Sequence, residues 1–169
     1  EKVIYVELPL TLTSLAKYCF AQADSDATTR WERVFKLGFI SQIDRVQVVT
    51  PLSFLPIMKN SFLIKINNWF VRLLTIFMIK KCFINADSNH GTILWISHPF
   101  SSLDFIGKFN EKIICYDCSE DFGFIKNINL VWGDRISWQD RELTKQADIV
   151  FVNSDALKNK KRRLNEHTY

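Results

Sequence analysis

Three carboxylates crowd the stretch IICYDCSEDFGF, residues 113–124, where Asp117, Glu120 and Asp121 follow directly on an apolar run. Carboxylates at a strand end can accept hydrogen bonds from sugar hydroxyls, cap the segment that follows, or hold a divalent cation. His98, just before Pro99 at the end of another apolar run, could act as a base or as a hydrogen-bond partner for a ligand. The plainer reading of it is an ordinary loop histidine. Cys115 and Cys118 form a C-x-x-C, but no second cysteine pair or nearby histidine completes a zinc set, so packing is the better account and no metal site is expected. Neither G-x-G-x-x-G nor G-x-x-x-x-G-K-[ST] occurs, and no Ser-His-Asp order can be assembled. A receiver domain would need paired acids after its first strand and a lysine after its last, where this chain has VNSD.

The elements that must position these groups are legible as five β-branched, apolar runs: KVIYVEL (2–8), VQVVT (46–50), TILWIS (92–97), KIICYD (112–117) and DIVFVN (148–153). Helical patterns fall around 60–83, 102–108, 137–147 and 155–165. Alternation of this kind predicts an α/β domain with a mostly parallel, Rossmann-like sheet and helices on both faces. Each run ends in polar or turn-forming residues, and in open α/β sheets ligands bind beyond the carboxyl ends of the strands. The acids therefore belong at the mouth of the sheet. Polar, small and aperiodic, AQADSDATTR (21–30) is expected to be a surface loop.

With 169 residues, 47% of them hydrophobic, the chain suits one domain over 1–169. Its net charge of +4 is too mild to indicate a nucleic-acid partner. The distribution is more informative, because no acidic residue occurs between Asp44 and Asp87 while Arg45, Lys59, Lys65, Arg72, Lys80 and Lys81 all do. Within the helical pattern over 60–83, Lys65, Asn68, Arg72 and Thr75 share one narrow stripe and apolar residues occupy much of the rest. Two readings stay open: a helix lying on a bilayer surface, with Lys65, Trp69 and Arg72 at the head groups, or a core helix between the sheet and a second domain. The tail KNKKRR, 158–163, reads first as a solvated helix face and second as a phosphate site.

Four cysteines, three in apolar runs, indicate a reducing compartment. The opening EKVIYVELP has no leader pattern, and the run LLTIFMI (73–79) falls far short of the roughly 20 residues a spanning helix needs. A start almost on a strand and a finish at NEHTY, just after a helix, suggest a piece of a longer protein.

The stretch IICYDCSEDFGF, followed by DRELTKQADIVFVNSDALKNKKRRLN, resembles the amino-terminal half of bacterial family-four glycosyltransferases, in particular those of teichuronic-acid and exopolysaccharide synthesis. In that family a strand ending Y-D-C-x-D/E-D precedes a helix and strand to which Glu142, Leu143, Ala147, Asp148, Val150, Phe151, Val152, Ser154 and Leu157 correspond here. Upstream, VIYVELPL and RVQVVTPLSFLP resemble the family's second and third strands, and LWISHPFSSLDFIGKF its fourth with the helix after it. The likeness spans nearly the whole chain and is strongest over 93–165.

The resemblance implies one half of a GT-B architecture, in which an amino-terminal domain binds the acceptor, often at a membrane, and a carboxyl-terminal domain binds the nucleotide-sugar donor. Transfer in the family retains anomeric configuration, in many members without a metal ion. It implies Asp117 as the catalytic position, with His98, Glu120 and Asp121 contacting the acceptor. The expected partners are a glycan or lipid-linked acceptor, an anionic membrane surface at the cytoplasmic side of the inner membrane, and the donor domain; no cofactor is expected in this chain. The opening strand with its glycine-bearing turn and the donor domain are both lacking, so the chain alone is not expected to transfer sugar. Alternatives are a non-catalytic membrane-associated module of the same fold, or half of a sugar-nucleotide epimerase, which the long acid-free helix disfavours.

Overall fold

The computed structural model describes residues 3–20, 24–54, 61–83, 91–99, 102–122 and 133–169, and the chain divides into two compact units, Glu1–Asp87 and Ser88–Tyr169. The protein is α/β, and its described strands form three small sheets.

In the first unit, β1 (Val3–Val6) and β4 (Val46–Val49) pair in parallel, and β3 (Ile40–Ile43) pairs antiparallel to β4. The two-residue connection between β3 and β4 is made by Asp44, at φ 51°, and Arg45. Pro9 and Pro51 then interrupt the ladder, since neither has an N–H to donate. It resumes as β2 (Leu10–Thr11) against β5 (Leu52–Ser53), and Leu10 N–H reaches Pro51 O at 2.8 Å.

Helix α1 (Leu12–Cys19) starts from a reciprocal cap in which Ser14 N–H donates to Thr11 Oγ1 at 3.0 Å and Thr11 N–H to Ser14 Oγ at 3.1 Å. Helix α2 (Ser25–Leu37) begins where Asp24 accepts from Ala27 N–H at 2.7 Å and stops at Gly38, whose φ of 86° suits a residue without a Cβ. The expected loop over 21–30 is therefore corrected for Ser25–Arg30, which is helical; 21–23 lie outside the described residues. Ala27, Trp31 and Val34, spaced i, i+4, i+7, give this polar segment its buried stripe, and Trp31 and Val34 pack with Leu10.

Helix α3 (Ser61–Phe83) packs against β4 and β5 through a face that buries Thr75, Met78, Ile79 and Cys82.

The second unit holds a parallel sheet in the order β6 (Thr92–Ile96), β7 (Glu111–Cys118), β8 (Ile149–Val152). Its core joins Ile96, Tyr116, Cys118, Phe122, Leu143, Ala147, Val150 and Leu157, uniting one face of the sheet with α4 (Gly133–Gln146) and α5 (Asp155–Lys161). A 3-10 turn, Ser102–Phe105, joins the same layer; the helix expected over 102–108 is no longer than this turn, and Gly107 at φ 74° follows it. Within this unit the described helices thus lie on one face, correcting the expectation of helices on both. The other face presents Ile93, Trp95 and Ile113, with Trp95 stacked on Phe151 at 5.2 Å.

The segment NEHTY, read as a stop after a helix, instead runs beside β8. Val150 N–H donates to His167 O at 3.0 Å, and Tyr169 N–H to Val150 O at 2.9 Å, the pattern of a further parallel strand.

Candidate functional site

All three strands of the second unit end at the same edge, and short polar segments follow each: Ser97-His98 after β6, Ser119-Glu120-Asp121 after β7, Asn153-Ser154-Asp155 after β8. Asn153 ties two of these together, since its amide donates to Ser119 O at 2.8 Å. Ser154 caps α5 by accepting from Leu157 N–H at 3.4 Å. Asp121 is held from α5 by Lys160, whose ammonium lies 2.6 Å from Oδ1. The His98 ring meets Phe122 edge-on at 5.3 Å.

Burial against its neighbours holds the His98 imidazole below the ordinary histidine range, while the Glu120 carboxylate pulls in the opposite direction. A neutral imidazole beside a carboxylate offers a donor and acceptors together, the set that recognises a hydroxyl. The structure therefore brings His98, Glu120 and Asp121 to one edge, as the sequence predicts.

Asp117 stands apart from them. The strand continues to Cys118, so Asp117 lies inside β7, in register with Phe151, and alternation puts it on the face away from the helix layer, with Cys115 and Ile113. It is half-buried, and no described side chain hydrogen-bonds or pairs with its carboxylate. The expectation that the strand terminates on Asp117 is thus corrected by one residue, since β7 runs on to Cys118. Cys115 and Cys118, three apart on a strand, point to opposite faces; both are buried free thiols, as packing requires. Among the described residues no three His, Cys, Asp or Glu side chains converge in a way that could hold a metal ion.

Beneath the edge lies a polar network that sequence reasoning missed. Asp140 on α4 accepts from Tyr116 Oη at 2.7 Å and pairs with the Lys161 ammonium, which also donates to Thr144 Oγ1 at 3.1 Å and sits 5.6 Å from the Tyr116 ring centre. Lys161 is 2% exposed and Asp140 6%. The run KNKKRR is thus only partly a solvated face: Lys160 serves the edge, Lys161 fastens α5 to α4. A signal was available, because Lys161 falls four residues after Leu157 on the same helical stripe, and Asp140 three before Leu143. Burial pushes the Tyr116 hydroxyl and the Cys118 thiol up, and the Asp140 carboxylate adds to both.

In the first unit, the carboxyl ends of β1 and β4 meet in a tighter cluster. Glu7 Oε2 accepts from Thr50 Oγ1 at 2.7 Å and Arg30 Nε at 3.3 Å, and pairs with Arg33. Burial drives the Glu7 carboxyl upward, but the hydroxyl of Thr50 and the guanidiniums of Arg33 and Arg30 outweigh it and hold the group below its ordinary value. With Glu7 Oε2 held by Thr50, Arg30 and Arg33, this cluster reads as a clamp of α2 on the sheet.

Of the membrane-surface candidates, Lys65 and Trp69 are exposed on α3 and Arg72 is half-buried. No described helix is long and apolar enough to cross a membrane. Comparison of the chain with protein-family models and with curated proteins finds no match to either.

Proposed function

We propose that this chain is the acceptor-binding part of a retaining glycosyltransferase of the GT-B type, one that moves a sugar from a nucleotide-sugar donor to a lipid-linked or cell-surface glycan. The observation that carries the proposal is the gathering of His98, Glu120, Asp121 and Asn153 at the carboxyl edge of a parallel sheet, the position at which such sheets take ligands. The resemblance of residues 93–165 to family-four enzymes agrees with it.

In this reading the edge holds acceptor hydroxyls. His98 accepts or donates a hydrogen bond as a neutral ring, Glu120 accepts, and Asp121 shapes the rim from its contact with Lys160. The acceptor oxygen bonds to the anomeric carbon as the bond from that carbon to the nucleoside phosphate breaks, and the acceptor's proton passes to the leaving phosphate. The donor is bound by a second domain, outside this chain. Asp117, one residue inside the end of β7, on the sheet's other face and half-buried without a described partner, is the carboxylate this reading assigns to the reacting sugar.

The test is a transfer assay on the full-length gene product, with radiolabelled nucleotide sugars as donors and bacterial membrane lipid extract as acceptor. Asp117→Asn is expected to lower turnover roughly 10- to 100-fold, the loss that follows removal of a charged hydrogen-bond acceptor from a substrate. Far-UV circular dichroism and Tm should not change, because the substitution breaks no described contact. Undiminished turnover would remove Asp117 from the mechanism. Absence of transfer with every donor would overturn the enzyme reading in favour of a binding module.

A further inference from the structure

Helix α3 turns its amphipathic pattern inside out. Thr75, on the stripe that reads as polar, is 1% exposed and donates to Val71 O at 2.7 Å; Asn67 turns to Ser53, and the Asn68 amide nitrogen is buried. The outward side instead carries Ile66, Trp69, Phe70, Leu73 and Phe77, with Trp69 54% and Phe77 66% exposed. These residues recur at i, i+3, i+4, i+7 and i+11, one continuous stripe about 17 Å long. Phe54 extends it sideways, edge-on to Phe70 at 4.8 Å. A contiguous apolar surface of this kind marks something to be covered.

Charge selects the cover. Lys65 lies at one end of the stripe and Lys80 and Lys81 at the other, all exposed, and no acidic residue occurs from Arg45 to Ala86. A second copy of the chain, laid antiparallel on the same stripe, would set Lys65 against Lys80 and Lys81 of its twin, like against like. An anionic lipid surface meets both features: the rings and aliphatic groups enter the boundary between head groups and acyl chains, and the terminal lysines reach back to the phosphates. Four cations among the 23 residues of α3 are consistent with a helix that lies on a bilayer and does not cross it.

We propose that the outward face of α3 is a docking surface for anionic membrane, engaged with the helix axis parallel to the bilayer plane. The proposal does not depend on the glycosyltransferase reading.

The test uses the full chain and vesicles of phosphatidylcholine with or without phosphatidylglycerol, read by co-sedimentation. Retention on the anionic vesicles, little on the neutral ones, and release as salt rises are expected. Trp69→Ser with Phe77→Ser should weaken partition at least tenfold, and Lys80→Glu with Lys81→Glu should abolish the preference for anionic lipid. All four side chains are exposed, and circular dichroism would verify that the variants fold. Brominated acyl chains should quench tryptophan fluorescence in the wild type and lose most of that effect in Trp69→Phe. Failure to sediment with anionic vesicles, or sedimentation indifferent to the serine variants, overturns the proposal; so does a concentration-dependent dimer that the serine variants dissolve, which would assign the stripe to a second copy.

Discussion

Replacing Lys161 by methionine should be among the most damaging single changes in the second unit. The side chain is buried, and its ammonium is the counter-ion of the equally buried Asp140 carboxylate. Methionine fills a similar volume but leaves that charge buried beside Tyr116 with no cation. Removing one partner of a buried pair costs about 3–5 kcal/mol, whereas replacing both by apolar groups of similar size is often close to neutral. At a factor of ten per about 1.4 kcal/mol, the single change should speed hydrogen exchange of the β7 and α4 amides roughly 140- to 3,700-fold. Joining it to Asp140→Leu should recover much of the loss, less about 1–3 kcal/mol for the Tyr116 hydroxyl, which then has no acceptor. Exchange resolved by mass spectrometry reads this unit by itself, so unfolding elsewhere does not confuse it. A cost below about 1 kcal/mol for Lys161→Met, or a double variant as damaged as the sum of the singles, would refute the reasoning by showing an uncoupled pair.

Three other outcomes are expected beside the vesicle experiment. Because the folded chain holds the Glu7 proton less tightly than the ordinary value of 4.5, Glu7 stabilises the first unit fully above that pH, and the contribution disappears as pH falls through the lower folded-state value. Glu7→Gln should remove that acid limb from a plot of Tm against pH; a limb that survives would mean another group carries it. A nuclear magnetic resonance titration should place His98 below 6.5, and Glu120→Gln should move it lower still, since the carboxylate favours the charged ring. A rise on that substitution would separate the two side chains. For Asp117→Asn, the expected split is lost turnover with unchanged stability, as the absence of a described partner for its carboxylate requires.

Particular residues show where the fold was legible. The five apolar runs all became strands, because β-branched stretches bounded by polar residues have few other ways to be buried. β3 was missed: ISQI is too short and too polar to stand out, and it becomes a strand by pairing with β4 across the turn at Asp44. α2 was missed because AQADSDATTR looks like a loop until Asp24 is recognised as a cap and Trp31 as the centre of its stripe. The edge residues His98, Glu120 and Asp121 were legible because topology alone gathers strand ends. The side of the sheet that Asp117 faces was not, since alternation sets it opposite Tyr116 and only the packing of the helices decides which of the two faces is covered.

What the sequence determined by itself was the class of fold, the strands of the parallel sheet and the acid-free basic interval, all of which follow from local pattern and composition. The tertiary structure decided which of several equivalent-looking lysines is buried, which face of α3 meets solvent and which carboxylates share an edge. Lys160 and Lys161 are adjacent and chemically identical, yet one bridges to Asp121 at the surface and the other pairs with Asp140 inside. Their fates differ because successive residues on a helix point about 100° apart, and only the packing of α5 on α4 says which direction is inward.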